Sequence, residues 1–149
     1  MTYRICRTEP CTVVGLELRT TNDEAFETIP QHWARFHRDG VLERIADRAD
    51  DGLYAVYTRF EHAGVDNRGT YTLIIGARVA DGAPAPAGLA AVAIAASRCA
   101  VFSVATGHPE KVGECWQQIW ASDDLAKTYL CDFERYAADG RIEIFVGIR

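Results

Sequence analysis

"LCDFERYAADGRIEIFVGIR", Leu130–Arg149, is the stretch that decides the fold, and it predicts a β-hairpin. Asp139 and Gly140 supply the turn between its two strands. Glu134 and Glu143 each interrupt apolar surroundings, one in each strand. A carboxylate in such a strand either faces solvent or lies in a ligand pocket, because burying it without a partner is costly.

Four blocks of sequence, including the second strand of this hairpin, occur twice along the chain. "CTVVGLEL" aligns with "CAVFSVAT", "WARF" with "WQQI", "YTRF" with "FERY", and "GTYTLIIGAR" with "GRIEIFVGIR". The matches come in the same order without internal gaps, which predicts two halves of strand, helix, strand, strand. Glu134 aligns with Thr58 and Glu143 with Thr72, so one carboxylate, not two, is expected near the axis relating the halves.

The repeat predicts an α+β fold of two tandem strand-helix-strand-strand units, of the SHS2 kind, related by a pseudo-twofold axis. Residues 1–149 form one domain, with half-repeats at about 1–80 and 88–149 and a Pro- and Gly-containing linker at about 80–88. One half alone is too small to bury a stable core. We therefore expect one antiparallel sheet with two main helices and a central groove, a common place for small-molecule sites.

Two segments carry helical signals. In "IPQHWARF", Thr28 is a candidate N-cap, Pro30 stands near the first helical position, and Trp33 begins an apolar face. In "HPEKVGECWQQIWASDD", Trp116 and Trp120 lie four residues apart and share a face. Both helices thus present aromatic side chains toward the predicted sheet.

Composition excludes several classes of function. The net charge of −5 argues against non-specific nucleic-acid binding. Five cysteines without a C-x-x-C motif indicate neither a disulfide framework nor a zinc site. His32 and His37 are five apart, off one helical face, so no metal is expected. The start lacks a signal peptide and the longest apolar run is too short for a bilayer, which predicts a cytoplasmic protein without a membrane partner.

Five stretches resemble, in order, the effector-binding domain of AraC- and MerR-type multidrug regulators, also called the GyrI-like domain. They are "IPQHWARF", "GTYTLIIGARV", "CAVFSVATGHPEKVGECWQQIW", "FERY" and "IEIFVGI". The resemblance covers nearly the whole chain, and the early helix is most similar to stand-alone members, including integron-cassette proteins. Gly147 stands where the family commonly has proline. No helix-turn-helix segment accompanies the domain, so direct DNA binding is not expected.

The resemblance implies a groove that binds lipophilic, often cationic, small molecules around an acidic residue on its floor. The F-E-x-Y motif maps that acid onto Glu134 and an aromatic partner onto Tyr136. Glu143, which alternates with isoleucines, is expected to face solvent. The other aromatic residues expected around the ligand are Trp33, Trp116, Trp120, Tyr54, Phe60 and Tyr71.

Three alternatives stay open at this point. Some stand-alone members of the family hydrolyse strained, cyclopropane-bearing compounds, and Glu134 would then be the catalytic base. A protein-sequestering module, such as a gyrase inhibitor, is a second alternative, and a haem-binding protein with a related tandem fold is a third. The main interpretation needs no cofactor, and a protein partner or a homodimer stays open.

Overall fold

Eight strands and three α-helices make up the fold, and the computed structural model describes all residues, 1–149. The strands are β1 (Arg4–Arg7), β2 (Cys11–Thr21), β3 (Leu53–Thr58), β4 (Thr70–Val79), β5 (Ala90–Ile94), β6 (Arg98–Val104), β7 (Cys131–Tyr136) and β8 (Ile142–Gly147). The helices are α1 (Ala25–Arg38), α2 (Val41–Arg44) and α3 (Val112–Ala121), and a 3₁₀ turn, Pro109–Lys111, precedes α3.

All strands join one antiparallel sheet in the order β1-β6-β8-β7-β3-β4-β2-β5. This confirms the predicted α+β class with a single antiparallel sheet and two main helices, α1 and α3. The strand order is symmetric about the β3–β7 pair at the centre. It is therefore compatible with the predicted tandem repeat, which itself stays a prediction.

Both main helices pack on one face of the sheet, which we call the helix face. Phe36 of α1 packs there with Val14 and Leu73. Trp116 of α3 packs there with Ile144, among other residues of β6 and β8. Side chains alternate along each strand, so the neighbouring positions form the opposite, back face. The back face carries its own buried cluster, with Val13, Tyr54, Val56, Ile74, Val92, Ile94 and Phe133.

Helix α1 begins earlier than the sequence analysis predicted. Its first residue is Ala25, and Thr28 already donates its backbone N–H to the carbonyl of Glu24 over 3.0 Å. Thr28 is therefore not the N-cap, and Pro30 lies inside the helix rather than near its first position. Proline has no N–H to donate, so the helix tolerates Pro30 one turn in at the expense of one backbone hydrogen bond.

His32 links α1 to the sheet by a hydrogen bond. Its Nε2 lies 2.8 Å from the carbonyl oxygen of Leu16 in β2, and Arg35 approaches its Nδ1 at 3.1 Å. The arrangement is satisfied when Nε2–H donates to Leu16 and Nδ1 accepts from Arg35, which is the neutral tautomer. Burial lowers the pKa of His32, and the bond to Leu16 opposes this shift.

Gly15 and Gly76 are direct cross-strand partners in β2 and β4. A Cβ on Gly15 would overlap the backbone carbonyl of Ile75, and one on Gly76 would overlap that of Val14. The two strands thus approach each other where neither can carry a side chain. None of the helices is long and apolar enough to cross a bilayer.

Candidate functional site

A cavity of about 460 Å³ lies on the helix face, with walls from both main helices and a floor from the central strands. Its lining is mostly apolar and aromatic. The residues that line it include Phe26, Ile29, Pro30, Trp33, Tyr57, Phe60, Tyr71, Val112, Trp116, Ile119, Trp120, Lys127, Tyr129, Asp132, Glu134 and Tyr136. A volume of this size falls in the usual range for small-molecule pockets.

The Glu134 carboxylate is the best-defined polar group of this cavity. The residue is only 1 % exposed and lies on β7, between Ala55 of β3 and Ile144 of β8. Strand alternation turns its side chain to the helix face. Both of its carboxylate oxygens accept hydrogen bonds from aromatic side chains.

Three neutral donors hold the carboxylate. Oε2 accepts from the Tyr57 hydroxyl over 2.6 Å and from the Trp116 indole N–H over 2.7 Å. Oε1 accepts from the Tyr136 hydroxyl over 2.5 Å. No lysine, arginine or histidine forms an ion pair with Glu134. The site therefore stabilises a buried negative charge by hydrogen bonds alone.

Burial and hydrogen bonding act in opposite directions on this carboxyl group. Burial raises the pKa of Glu134, whereas the bonds from Tyr136, Tyr57 and Trp116 lower it by favouring the ionised form. Burial and the Glu134 charge also raise the pKa values of Tyr57 and Tyr136 well above the ordinary range, so both hydroxyls stay protonated donors.

The aromatic side chains form a connected wall around Glu134. Tyr57 contacts Trp116 edge-on, with ring centroids 5.4 Å apart, and Trp33 contacts Tyr136 in the same way at 5.3 Å. Trp120 extends this wall outward from Trp116 and is 43 % exposed. The cavity thus presents both ring faces and ring edges to anything that enters it.

Seven of the eight predicted site residues line the cavity. They are Glu134, Tyr136, Trp33, Trp116, Trp120, Phe60 and Tyr71. Tyr54 does not, and its prediction as a cavity residue was wrong. Its side chain lies in the back-face cluster, and its hydroxyl donates to Asp50 over 2.6 Å.

The predicted alignment of Thr58 with Glu134 is out of phase with the sheet. Thr58 pairs with Cys131 across the β3–β7 junction, whereas Glu134 pairs with Ala55. Alternation then places Glu134 and Tyr57 on the helix face and Thr58 on the back face. The residue of β3 that joins the site is therefore Tyr57, which the sequence analysis missed.

Asp132 is a second carboxylate on the helix face, so the expectation of one carboxylate was wrong. It is 8 % exposed, lines the cavity, and its Oδ1 accepts the backbone N–H of Gly147 over 2.9 Å. Burial raises its pKa to about 7, although the Gly147 bond and the charge of Lys127 oppose the shift. Strand alternation predicts that Asp132 shares one face of β7 with Glu134, but the sequence analysis did not assign it to the site.

Glu143 lies outside the cavity. Its side chain is 22 % exposed and accepts a hydrogen bond from the Arg4 guanidinium over 2.7 Å. Its cross-strand neighbours are Arg135 and Ser103, and its position in β8 turns it to the back face. Of the two glutamates in the terminal hairpin, only Glu134 enters the site.

The fold is shared with proteins already known. The chain matches, over residues 4–148, the family model Cass2, described as integron-associated effector binding protein. The chain belongs to the Cass2 family. This confirms the resemblance to integron-associated effector-binding proteins that the sequence indicated. No curated protein matches this Cass2 member.

Solved structures show the same fold. The integron cassette protein VCH_CASS2 of Vibrio cholerae is 22 % identical, with a TM-score of 0.75 over 99 % of this chain and 95 % of that one. SAV2435, solved bound to tetraphenylphosphonium, is 17 % identical, with a TM-score of 0.82 over 100 % and 94 %. A putative transcription regulation protein from Staphylococcus aureus MU50 is 17 % identical, with a TM-score of 0.76 over 100 % and 99 %.

Proposed function

We propose that this Cass2 member binds a lipophilic, cationic small molecule in the cavity, with Glu134 as its central acidic group. One observation carries the proposal. Glu134 is a fully buried carboxylate at the floor of an aromatic cavity, and no basic side chain forms an ion pair with it.

The energetics favour a cationic ligand over a neutral one. Neutral donors reduce the cost of burying the carboxylate but leave its charge without a counter-ion. A cationic ligand beside Glu134 would be that counter-ion, and it would also lie near the rings of Tyr57, Trp116 and Tyr136. Each cation–π contact contributes roughly 0.5–2 kcal/mol, with the larger values in desolvated sites.

The arrangement of donors supports binding more directly than hydrolysis. Both oxygens of Glu134 already accept hydrogen bonds, so neither can take a proton from water without losing a donor. The family match to effector-binding proteins and the tetraphenylphosphonium complex of the similarly folded SAV2435 also support binding.

Titration with tetraphenylphosphonium tests the proposal, with the quenching of tryptophan fluorescence and calorimetry as readouts. The wild-type protein is expected to bind this cation, and Glu134→Gln to weaken the affinity at least about tenfold, since the variant keeps the shape but loses the charge. Glu143→Gln is the matched control from the same hairpin and should bind like wild type. Neutral triphenylphosphine oxide should bind the wild-type protein and Glu134→Gln about equally.

Equal affinity of the wild-type protein and Glu134→Gln for the cation would refute the role of the carboxylate. No binding of any lipophilic cation by the wild-type protein would refute the proposed function itself.

A further inference from the structure

Asp132 gives the cavity a second acidic position. It stands two residues before Glu134 on β7, so both side chains leave the same face of the strand. Their Cα atoms are roughly 7 Å apart, since each strand residue advances the chain about 3.3 Å. Tyr57 lies opposite Asp132 in β3 and donates its hydroxyl to Glu134, so one tyrosine adjoins both acids.

The two carboxylates differ in how they are satisfied. Glu134 has both oxygens engaged by donors. Asp132 has one bond, from the Gly147 backbone N–H to Oδ1, and its Oδ2 accepts none. No buried side-chain oxygen or nitrogen in the chain lacks a partner, so Oδ2 must reach accessible space. Because Asp132 is otherwise buried and forms part of the lining, that space is the cavity.

Lys127 is the basic residue whose charge acts on Asp132, but it does not occupy Oδ2. Its ammonium group donates to the carbonyl oxygen of Ser122 over 2.8 Å and forms no ion pair with Asp132. Oδ2 thus remains free to accept a hydrogen bond from a bound molecule.

We infer that Asp132 is a second ligand-binding position, and that the cavity prefers elongated cations that carry a second, amine-like donor about 7 Å from the first. This inference rests on the proposed function, because Glu134 holds the first cationic group. Asp132 then acts as a specificity-determining residue. It discriminates between ligands that reach Oδ2 and ligands that leave it unpaired.

A matched pair of small ligands tests this inference. 1,4-Bis(aminomethyl)benzene carries two ammonium groups across one ring, and 4-methylbenzylamine carries only one. At about pH 8, where a group with a pKa of about 7 is mostly ionised, we expect the diamine to bind the wild-type protein about tenfold more tightly. Calorimetry and ligand-observed NMR measure both affinities.

Asp132→Asn is the direct variant, since an amide oxygen can still accept the Gly147 N–H. It should reduce the preference for the diamine over the monoamine to less than about threefold. Its melting temperature checks the fold. Glu143→Gln changes an acid of the same hairpin outside the cavity, and it should keep the wild-type preference for the diamine.

The outcomes separate this inference from the proposed function. Glu134-dependent binding of tetraphenylphosphonium, together with equal affinities for the diamine and the monoamine, would overturn the role of Asp132 alone. A preference for the diamine that persists in Asp132→Asn would also overturn it. Failure of the wild-type protein to bind tetraphenylphosphonium or either amine would overturn both.

Discussion

Glu134 is an acid whose ionisation depends on its aromatic neighbours. The three donors favour the carboxylate form, whereas burial favours the neutral acid. Changing a donor should therefore alter the charge of Glu134 without changing the shape of the cavity. This separates the electrostatic part of ligand binding from the packing part.

Tyr57→Phe should weaken tetraphenylphosphonium binding several-fold at neutral pH. The variant removes the bond to Oε2, so the pKa of Glu134 rises further and less of the carboxylate is ionised. Binding should recover as the pH increases, because Glu134 then ionises. Fluorescence titrations between about pH 6 and 9 measure this. Tyr71→Phe, which lines the same cavity without bonding Glu134, is the control, and a pH dependence equal to that of Tyr57→Phe would contradict the explanation.

Glu134→Gln should fold at least as stably as wild type in the absence of ligand. The amide removes a buried charge, and the tyrosine hydroxyls can rotate to bond with it. We expect the free energy of unfolding to stay equal or to rise by about 1 kcal/mol near neutral pH. Urea denaturation measures it. A loss of several kcal/mol would show that the charge contributes to the fold and not only to binding.

At the residue scale, the sequence identified the central acid and most of its aromatic neighbours, but confused two tyrosines. Tyr54 and Tyr57 are three apart on one strand and therefore point to opposite faces. Choosing between them requires knowing which residues of β3 face the helices. Aligning Thr58, a back-face residue, with Glu134, a helix-face residue, places the residues of β3 one position out of phase. A shift of one residue reverses every side chain of a strand, which also explains why Tyr57 was missed.

Helix α1 forms one wall of the cavity. The neutral imidazole of His32 holds this helix on β2 through its hydrogen bond to Leu16. The folded-state pKa of His32 is lowered, so the unfolded chain binds the proton more readily. The contribution of His32 to stability is therefore present above its unfolded pKa of about 6.5 and is lost as the pH falls below that value.

His32→Gln should reduce the loss of stability that follows acidification. Wild type should lose about 1 kcal/mol through His32 between about pH 7 and 5, whereas the glutamine can donate to Leu16 without titrating. His37→Gln is the control, since His37 is an exposed residue of the same helix that stacks on Trp33. Urea denaturation at several pH values distinguishes them, and identical curves for wild type and His32→Gln would count against this role.

Among the elements, strands were easier to predict than helix ends. The hairpin predicted at the end of the chain, for example, is formed by β7 and β8. The start of α1 was predicted too late in the chain. A proline usually lies in the first turn of a helix, whereas Pro30 lies after the first turn of α1. Strand β1 was not predicted, since four residues at a sheet edge carry too little periodicity to recognise.

The whole molecule combines a symmetric strand order with an asymmetric distribution of buried acids. Asp132 and Glu134 both lie on β7, and β3, its neighbour across the centre, places Tyr57 and Ala55 opposite them. Both acids have raised pKa values, so the native state binds more protons than the unfolded chain. Their effect on stability is therefore a loss as the pH rises, opposite in sign to that of His32.

The double variant Asp132→Asn with Glu134→Gln should be more stable than wild type at about pH 8, by on the order of 3 kcal/mol, with a smaller difference toward about pH 4. Protonated acids resemble amides, so the two proteins converge in acid. Thermal and urea unfolding across this pH range test it. A difference that stays constant with pH would mean that neither acid has a shifted pKa.

The fold class could be predicted at this scale because the matching sequence blocks indicate the order of the elements. The blocks of β2 with β6 and of β4 with β8 align in phase, since Val14 and Phe102, and likewise Leu73 and Ile144, all lie on the helix face. The cavity itself depends on the distance between the two main helices on the helix face of the sheet, and no local sequence pattern specifies that distance.

The paired glycines of β2 and β4 have a consequence for how this protein can evolve. Gly15 and Gly76 leave no room for any side chain, yet neither lines the cavity. A saturation mutagenesis survey should therefore find two classes of sensitive position, one where substitution prevents folding and one where it changes ligand binding. At Gly15 and Gly76 every substitution should lower the amount of folded protein, whereas at Glu134 and Asp132 variants should accumulate normally and differ only in the molecules that they retain. Selection for new ligands can act on the second class while the first keeps the sheet unchanged.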